Sequence, residues 1–261
     1  PGLYSETLEF SDISYQSARK ESQERIFTVL SGVYNYFNAD TSVQITIANV
    51  PIPQQLIGNQ EFFRKAGGPT DALVDAYHRI LNDKMREGVS NLERRRYLTY
   101  AVEAEDVDVA VPKLAHIRGD VTASLNRIRC DANRLDGTER PRAIDSVIRP
   151  CKRFEFSWDK LSQFRGMRTK DLIAPGVLDF APRGRDDIFE SDGVYGSVLS
   201  IRDFGAVLED GYLASIIDLP IPLVVTLHIV PMNQSDALAM VKRQLDSVSY
   251  NHLRPPETGR N

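Results

Sequence analysis

The chain has 261 residues and only two cysteines, Cys130 and Cys151. They stand too far apart for a paired metal motif and are too few for a disulfide framework. Both are expected to be reduced packing thiols. No glycine is followed by lysine, so the Gly-x-x-x-x-Gly-Lys-Ser/Thr loop that cradles phosphates is excluded. The Gly-x-Ser-x-Gly elbow, His-Glu-x-x-His and Cys-x-x-Cys are also missing. Gly193 and Gly196 stand as Gly-Val-Tyr-Gly before a strand, whereas a dinucleotide loop follows a strand and opens a helix. They are expected to form a turn. The most apolar window, 211–230, has about the length of a membrane span, which takes ~20 apolar residues. Asp218, Pro220, Pro222, Thr226 and His228 interrupt it, and a helix followed by a strand accounts for its hydrophobicity. No signal-peptide pattern opens the chain, and Pro1 in place of methionine is expected of a piece cut from something longer.

A strong charge of either sign is lacking too. The 32 basic and 36 acidic residues leave a net charge of -4, with no global pull toward nucleic acid or anionic membrane. The distribution is uneven. Between Arg127 and Lys170 stand 12 Lys+Arg and 6 Asp+Glu, a local balance of +6.

What is present is local α/β patterning. From Tyr195 to Leu245 the order reads strand, helix, strand, helix. Leu208, Tyr212, Leu213, Ile216 and Ile217 keep a helical period, and Pro220 and Pro222 end that helix. Leu223, Val225, Leu227 and Ile229 alternate with Val224, Thr226, His228 and Val230. With both sets largely apolar, this strand is expected to be central and buried. Asn233 is a candidate N-cap for a last helix with Leu238, Val241, Leu245 and Val248 on one face.

Earlier in the chain, residues 2–11 read as an extended lead-in, 13–37 as a helix and 42–50 as a strand. Residues 54–68 read as irregular, 70–87 as a helix and 96–102 as a strand. A long helix is capped by Asp106 or Asp108 and reaches about Leu135, with Pro112 predicting a late start or a kink. Residues 136–174 have weak periodicity and one short helix near 141–148. Short strands are expected at 177–180, 187–189 and 195–202. The predicted class is α+β, a mixed, largely antiparallel sheet with helices packed on it. Residues 97–125 and 223–248 echo each other, so two similar α/β-plait halves are one option; any layered α/β fold patterns alike. The expected organisation is 1–135 as a first half, 136–174 as a basic connector, 175–250 as a second half and 251–261 as a tail or linker.

Few side chains point to chemistry. Glu103, Glu105, Asp106 and Asp108 cluster where a strand turns into a helix. Hard cations favour carboxylates, but acids also favour a helix N-terminus through its dipole, and that reading is preferred. His116 and His228 are expected to be structural, each with a hydrogen bond. Arg94, Arg95 and Arg96 precede a strand. Arg127, Arg129, Arg134, Arg140, Arg142, Arg149, Lys152 and Arg153 form a candidate partner surface, with Phe154, Phe156 and Trp158 beside them. Arginines with nearby aromatics also suit single-stranded nucleic acid, so a nucleic-acid-binding module over 127–170 is the alternative. No specific nucleic acid is expected, because no reading motif accompanies the basic residues.

Several phrases carry a resemblance. They are Gly2-Leu-Tyr-Ser5 with Phe10-Ser-Asp-Ile-Ser-Tyr15, Ser42-Val-Gln-Ile-Thr-Ile-Ala-Asn49, Asp136-Gly-Thr-Glu-Arg140 and Lys170-Asp-Leu-Ile-Ala-Pro175. The block from Leu199 to Leu245 adds Asp-Gly-Tyr-Leu, Leu-Pro-Ile-Pro and His-Ile-Val-Pro. In this order they resemble the N-terminal region of the VirB-four-type conjugation ATPases of type IV secretion systems, especially those of Gram-positive conjugative elements. The resemblance implies a cytoplasmic module, peripheral at the inner face of the cell membrane, that docks on inner-membrane transfer-channel proteins and on a C-terminal ATPase domain. It also implies a homo-oligomeric parent that uses ATP and Mg²⁺ through Walker motifs. No position here matches those motifs, so no catalytic, cofactor or metal residue is carried over, and this chain alone is expected to be a non-catalytic scaffold.

Overall fold

The computed structural model describes residues 1–52, 63–65, 67–86, 92–150, 154–202 and 211–252. Its centre is an antiparallel sheet of five strands in the order β4-β1-β3-β2-β8. The strands are β1 (Gly2–Phe10), β2 (Thr41–Pro51), β3 (Leu92–Ala104), β4 (Ala132–Arg134) and β8 (Leu223–Ile229). The predicted α+β class is what is found. The lead-in at residues 2–11 is a full strand paired along its length with β3, Glu6 facing Tyr100 and Leu8 facing Leu98. Alternation there is hidden, because Glu6 and Thr7 are buried beside Leu8.

Helix α1 (Lys20–Tyr36) starts later than its apolar stripe suggests. The preceding residues turn instead, with Ser14 and Ser17 sharing a hydroxyl hydrogen bond at 2.5 Å and the Ala18 N–H bonded to the Tyr15 carbonyl. Helix α2 is Asp71–Arg86. Helix α3 (Val107–Asn126) starts directly after its cap, where Asp106 accepts the Val109 N–H at 2.9 Å, and it carries Pro112 inside. It ends before Leu135 because Arg129, at φ 58, turns the chain back and β4 pairs with the end of β1.

Leu8, Leu98, Tyr100, Val102 and Val43 project from one sheet face. They form the core with Ile26 and Val33 of α1 and Leu114, Val121 and Leu125 of α3. Tyr36 of α1 donates to Asp120 of α3 at 2.8 Å. Burial and that carboxylate together push the Tyr36 hydroxyl up to about 12. On the opposite face Thr7, Tyr97, Ala101 and Ala48 are buried. Helix α4 (Glu139–Ile148) lies against β2 on that side, turning Pro141 and Asp145 inward.

Two short helices, α5 (Trp158–Gln163) and α6 (Thr169–Ile173), follow; weak periodicity had concealed them. A small sheet then stands in the order β5-β6-β7, formed by Leu178–Asp179, Phe189–Ser191 and Val194–Gly196. Asp192 and Gly193 both have positive φ, 50° and 85°, the combination a tight two-residue hairpin turn requires. That is the turn expected at Gly193. Gly196 lies directly under Phe189: a Cβ there would come within 2.4 Å of the ring.

Two expectations are corrected. The predicted strand at 195–202 covers only the end of β7, and residues 197–202 are irregular and exposed. Val198 and Leu199 alternate with nothing across from them. The strand 223–229 is not central. Among the described residues β8 pairs only with β2 and occupies the edge. Its odd residues are half-buried and Val224, Thr226 and His228 are exposed. An apolar strand reads the same whether its second face is covered by its own chain or left bare, and here it is bare. β8 joins β1 to β4 in one sheet through β2. The last helices are α7 (Tyr212–Ile217), which is the visible end of the predicted 208–219, and α8 (Gln234–His252). Residues 203–210 and the predicted tail at 253–261 lie outside the described residues, as does most of the irregular stretch 54–68.

Candidate functional site

The basic residues are the first candidates, and most of them are already engaged. Arg134 of β4 and Arg118 of α3 converge on one oxygen of Glu6, at 2.5 Å and 2.6 Å. Tyr100 donates to the other oxygen at 2.6 Å. Burial, followed by the Glu6 carboxylate, holds the Tyr100 hydroxyl well above its usual range. A buried carboxylate needs this satisfaction, because a lone one would be too costly to desolvate. Arg140 reaches back to β1 and donates to the Ser5 carbonyl at 2.9 Å and its hydroxyl at 2.8 Å. Arg149 pairs with buried Asp145 and donates to the Leu172 carbonyl at 3.0 Å, tying α4 to α6. Arg142 stands over the Phe154 ring at 5.6 Å. Arg127 and Arg129 are exposed at the end of α3. Lys152, Arg153 and Cys151 lie outside the described residues. Of the candidate surface, Arg134, Arg140 and Arg149 are thus held by partners within the chain.

The Arg94-Arg95-Arg96 run behaves likewise. Successive strand residues face opposite sides. Arg95 pairs with Glu9 and Glu93 on one face. Arg96 pairs with Asp12 on the other. Arg94 donates to Asn49 Oδ1 at 3.0 Å, to Asp218 at 2.8 Å and to the Ile217 carbonyl at 2.9 Å. Buried Asn49 donates to the same carbonyl at 2.7 Å. This network fastens the turn between α7 and β8 to the middle of the sheet. Sequence reading missed it, since no local spacing connects Arg94 with Asp218.

The acidic turn does what the dipole argument expects. Asp106 caps α3, and no cluster of His, Cys, Asp or Glu suited to a metal occurs among the described residues. His116 faces Asp120 at 3.5 Å. His228, expected to be bonded inside the sheet, is instead exposed on β8. Cys130 is buried, its thiol pushed up by burial and directed at the Ser11 carbonyl at 3.4 Å. It is placed as a packing thiol. Two clefts accompany these networks. One of about 330 Å³ lies against Arg94, Arg96 and Asp218. One of about 300 Å³ lies between β1 and α3, beside Glu6, Arg118 and Arg134.

The remaining candidate is an exposed apolar surface at the C-terminal end. Leu238, Val241 and Leu245 share a face of α8, and all three are exposed, as are Met240 and Val230. A helix face of this kind normally lies against something. Residues 158–252 match the model of the CagE, TrbE, VirB family, component of type IV transporter system. That stretch is similar to a component family of type IV transporters. The match bears out the resemblance to conjugation ATPases in α5 through α8, including β8 and the turn that Arg94 holds. No curated protein matches the chain. No helix among the described residues is long and apolar enough to cross a membrane.

Proposed function

We propose that this chain is a non-catalytic scaffold of a type IV transport ATPase, joining the motor to inner-membrane transfer-channel proteins. The observation that carries the reading is the unpartnered stripe Leu238, Val241 and Leu245, displayed by the stretch that matches the transporter family. Glu6, Asp145 and Asp218 are taken up by arginines, and Asp106 by a helix cap. No phosphate-cradling loop stands in the sequence, and the turn Glu103 to Asp106 is acidic and repels a triphosphate. ATP and Mg²⁺ then belong to the motor part of the parent, and location at the inner face of the membrane follows from the docking partners. The nucleic-acid alternative is weaker, since Arg134, Arg140 and Arg149 already have partners.

The test has two arms. Calorimetry with Mg-ATP and a phosphate-release assay on the purified chain should show nothing above buffer. Saturable ATP binding that is lost on mutating a residue of this chain overturns the scaffold reading. In the second arm the chain is co-expressed with the inner-membrane proteins of its own transfer system and purified in detergent. Leu238→Asp with Val241→Asp should reduce their recovery at least tenfold. Equal recovery refutes docking through α8.

A further inference from the structure

The two edges of the five-stranded sheet are treated differently. A free edge presents unpaired N–H and C=O groups, and proteins protect it with short strands, charges, prolines or covering segments. On the β4 side three of these devices are in use. β4 has three residues and ends in Arg134. Beyond it the Leu135 N–H bonds to the Thr7 carbonyl at 2.9 Å, and Arg140 occupies the Ser5 carbonyl. On the β8 side, among the described residues, the strand carries no charge and no covering segment pairs with it. Leu-Val-Val-Thr-Leu-His-Ile is seven residues long and carries no Asp, Glu, Lys, Arg or Pro. Pro222 and Pro231 bracket it and limit any pairing to the residues between them.

That bare edge is complementary to itself. In an antiparallel pair centred on Thr226, Thr226 meets its own copy, Val224 meets His228, Val225 meets Leu227 and Leu223 meets Ile229. No like charges oppose one another, and the threonine pair on the axis is a favourable one. A closed two-fold contact requires such self-complementarity. The half-buried set Leu223, Val225, Leu227 and Ile229 continues the sheet face that holds the core. Two seven-residue strands alone fall short of the roughly 1,000 Å² a stable interface needs, so the contact is of the weak, concentration-dependent kind.

We propose that two copies of this chain pair through the free edges of β8, antiparallel about Thr226, joining their sheets into one. The proposal stands on the edge itself and not on the scaffold reading. Thr226 is exposed, so Thr226→Lys leaves the monomer fold intact while setting two ammonium groups against each other on the axis. Light scattering after size exclusion at rising concentration should give twice the chain mass for the wild type and a single mass for Thr226→Lys, with unchanged circular dichroism. Mild oxidation of Thr226→Cys should yield a disulfide-linked dimer, whereas Thr28→Cys, exposed on α1, should not. A wild-type chain that stays monomeric, or a Thr226→Lys protein that still doubles its mass, overturns the proposal. So does an Ile201→Cys/Thr226→Cys variant that closes within one chain, because residues 197–202 would then fill the edge.

Discussion

The unit β3–α3 and the unit β8–α8 are built alike and used differently. Each is a strand, a short turn and a long helix. β3 is the central strand, third from either edge, with Tyr97, Leu98, Tyr100, Ala101 and Val102 buried. β8 has no residue buried. Helix α3 buries Ala110, Leu114, Val121 and Leu125, while Leu238, Val241 and Leu245 of α8 are exposed. Periodicity thus specifies an element and the face it must hide, but says nothing of what will hide it. In the first unit the sheet and α1 do so. In the second, among the described residues, the requirement is left open.

Lysine substitutions should separate the units most widely. Ile45 stands between Leu98 on one side and Leu227 on the other, so both residues occupy the same sheet face at the same level. Leu98→Lys buries an unpaired charge and should cost several kcal/mol, enough to unfold the chain. Leu227→Lys is half-exposed and its ammonium can reach water, so about 1 kcal/mol is expected. Urea denaturation reads both, and equal losses would restore β8 to the interior. Truncation should give the next contrast. Leu125 is 4% exposed and Leu245 64%. Leu125→Ala should lose about 2–5 kcal/mol, and Leu245→Ala about 0.5 kcal/mol or less, unless the measurement is made where α8 is covered.

The smallest effect concerns the connector between the units. Asp136 accepts the N–H groups of Thr138 and Glu139, each at 2.7 Å, at the start of α4. Those backbone hydrogen bonds hold its carboxyl below the usual range. A depressed folded value means that the stabilisation is present above the unfolded value and disappears as pH falls through the folded one. The thermal midpoint of Asp136→Ala should therefore lie below wild type at neutral pH and converge with it in acid. A gap that persists in acid would assign the cap a role other than charge.

Much of the fold could be read in advance where the pattern was local and strong. The strand at Thr41–Pro51 and the helix at Asp71–Arg86 fall within a residue or two of expectation. β1 could not, because its Glu6 is polar for a reason supplied by Arg118 and Arg134 more than a hundred residues later. The place of β8 was misread, because sheet order depends on pairings such as Asn49 with Leu223 that leave no local trace. Among the candidate arginines the sequence showed charge and not commitment. Arg140 and Arg149 look as free as Arg127 until the Ser5 carbonyl and Asp145 are brought beside them.

The pairing of β2 with β8 also dictates an order of assembly. Thr46 leaves the ribosome well before its partner Thr226. Strands β1 to β4 can close with α1 and α3 in the interval, so the nascent protein holds β2 with one side unpaired until β8 emerges. Contacts this distant in sequence are slow to form. Docking of β8 should be the last and slowest folding phase, and Arg94 the latch that halts its reversal. A pulse of hydrogen exchange during refolding would then find the amides of β8 protected after those of β3.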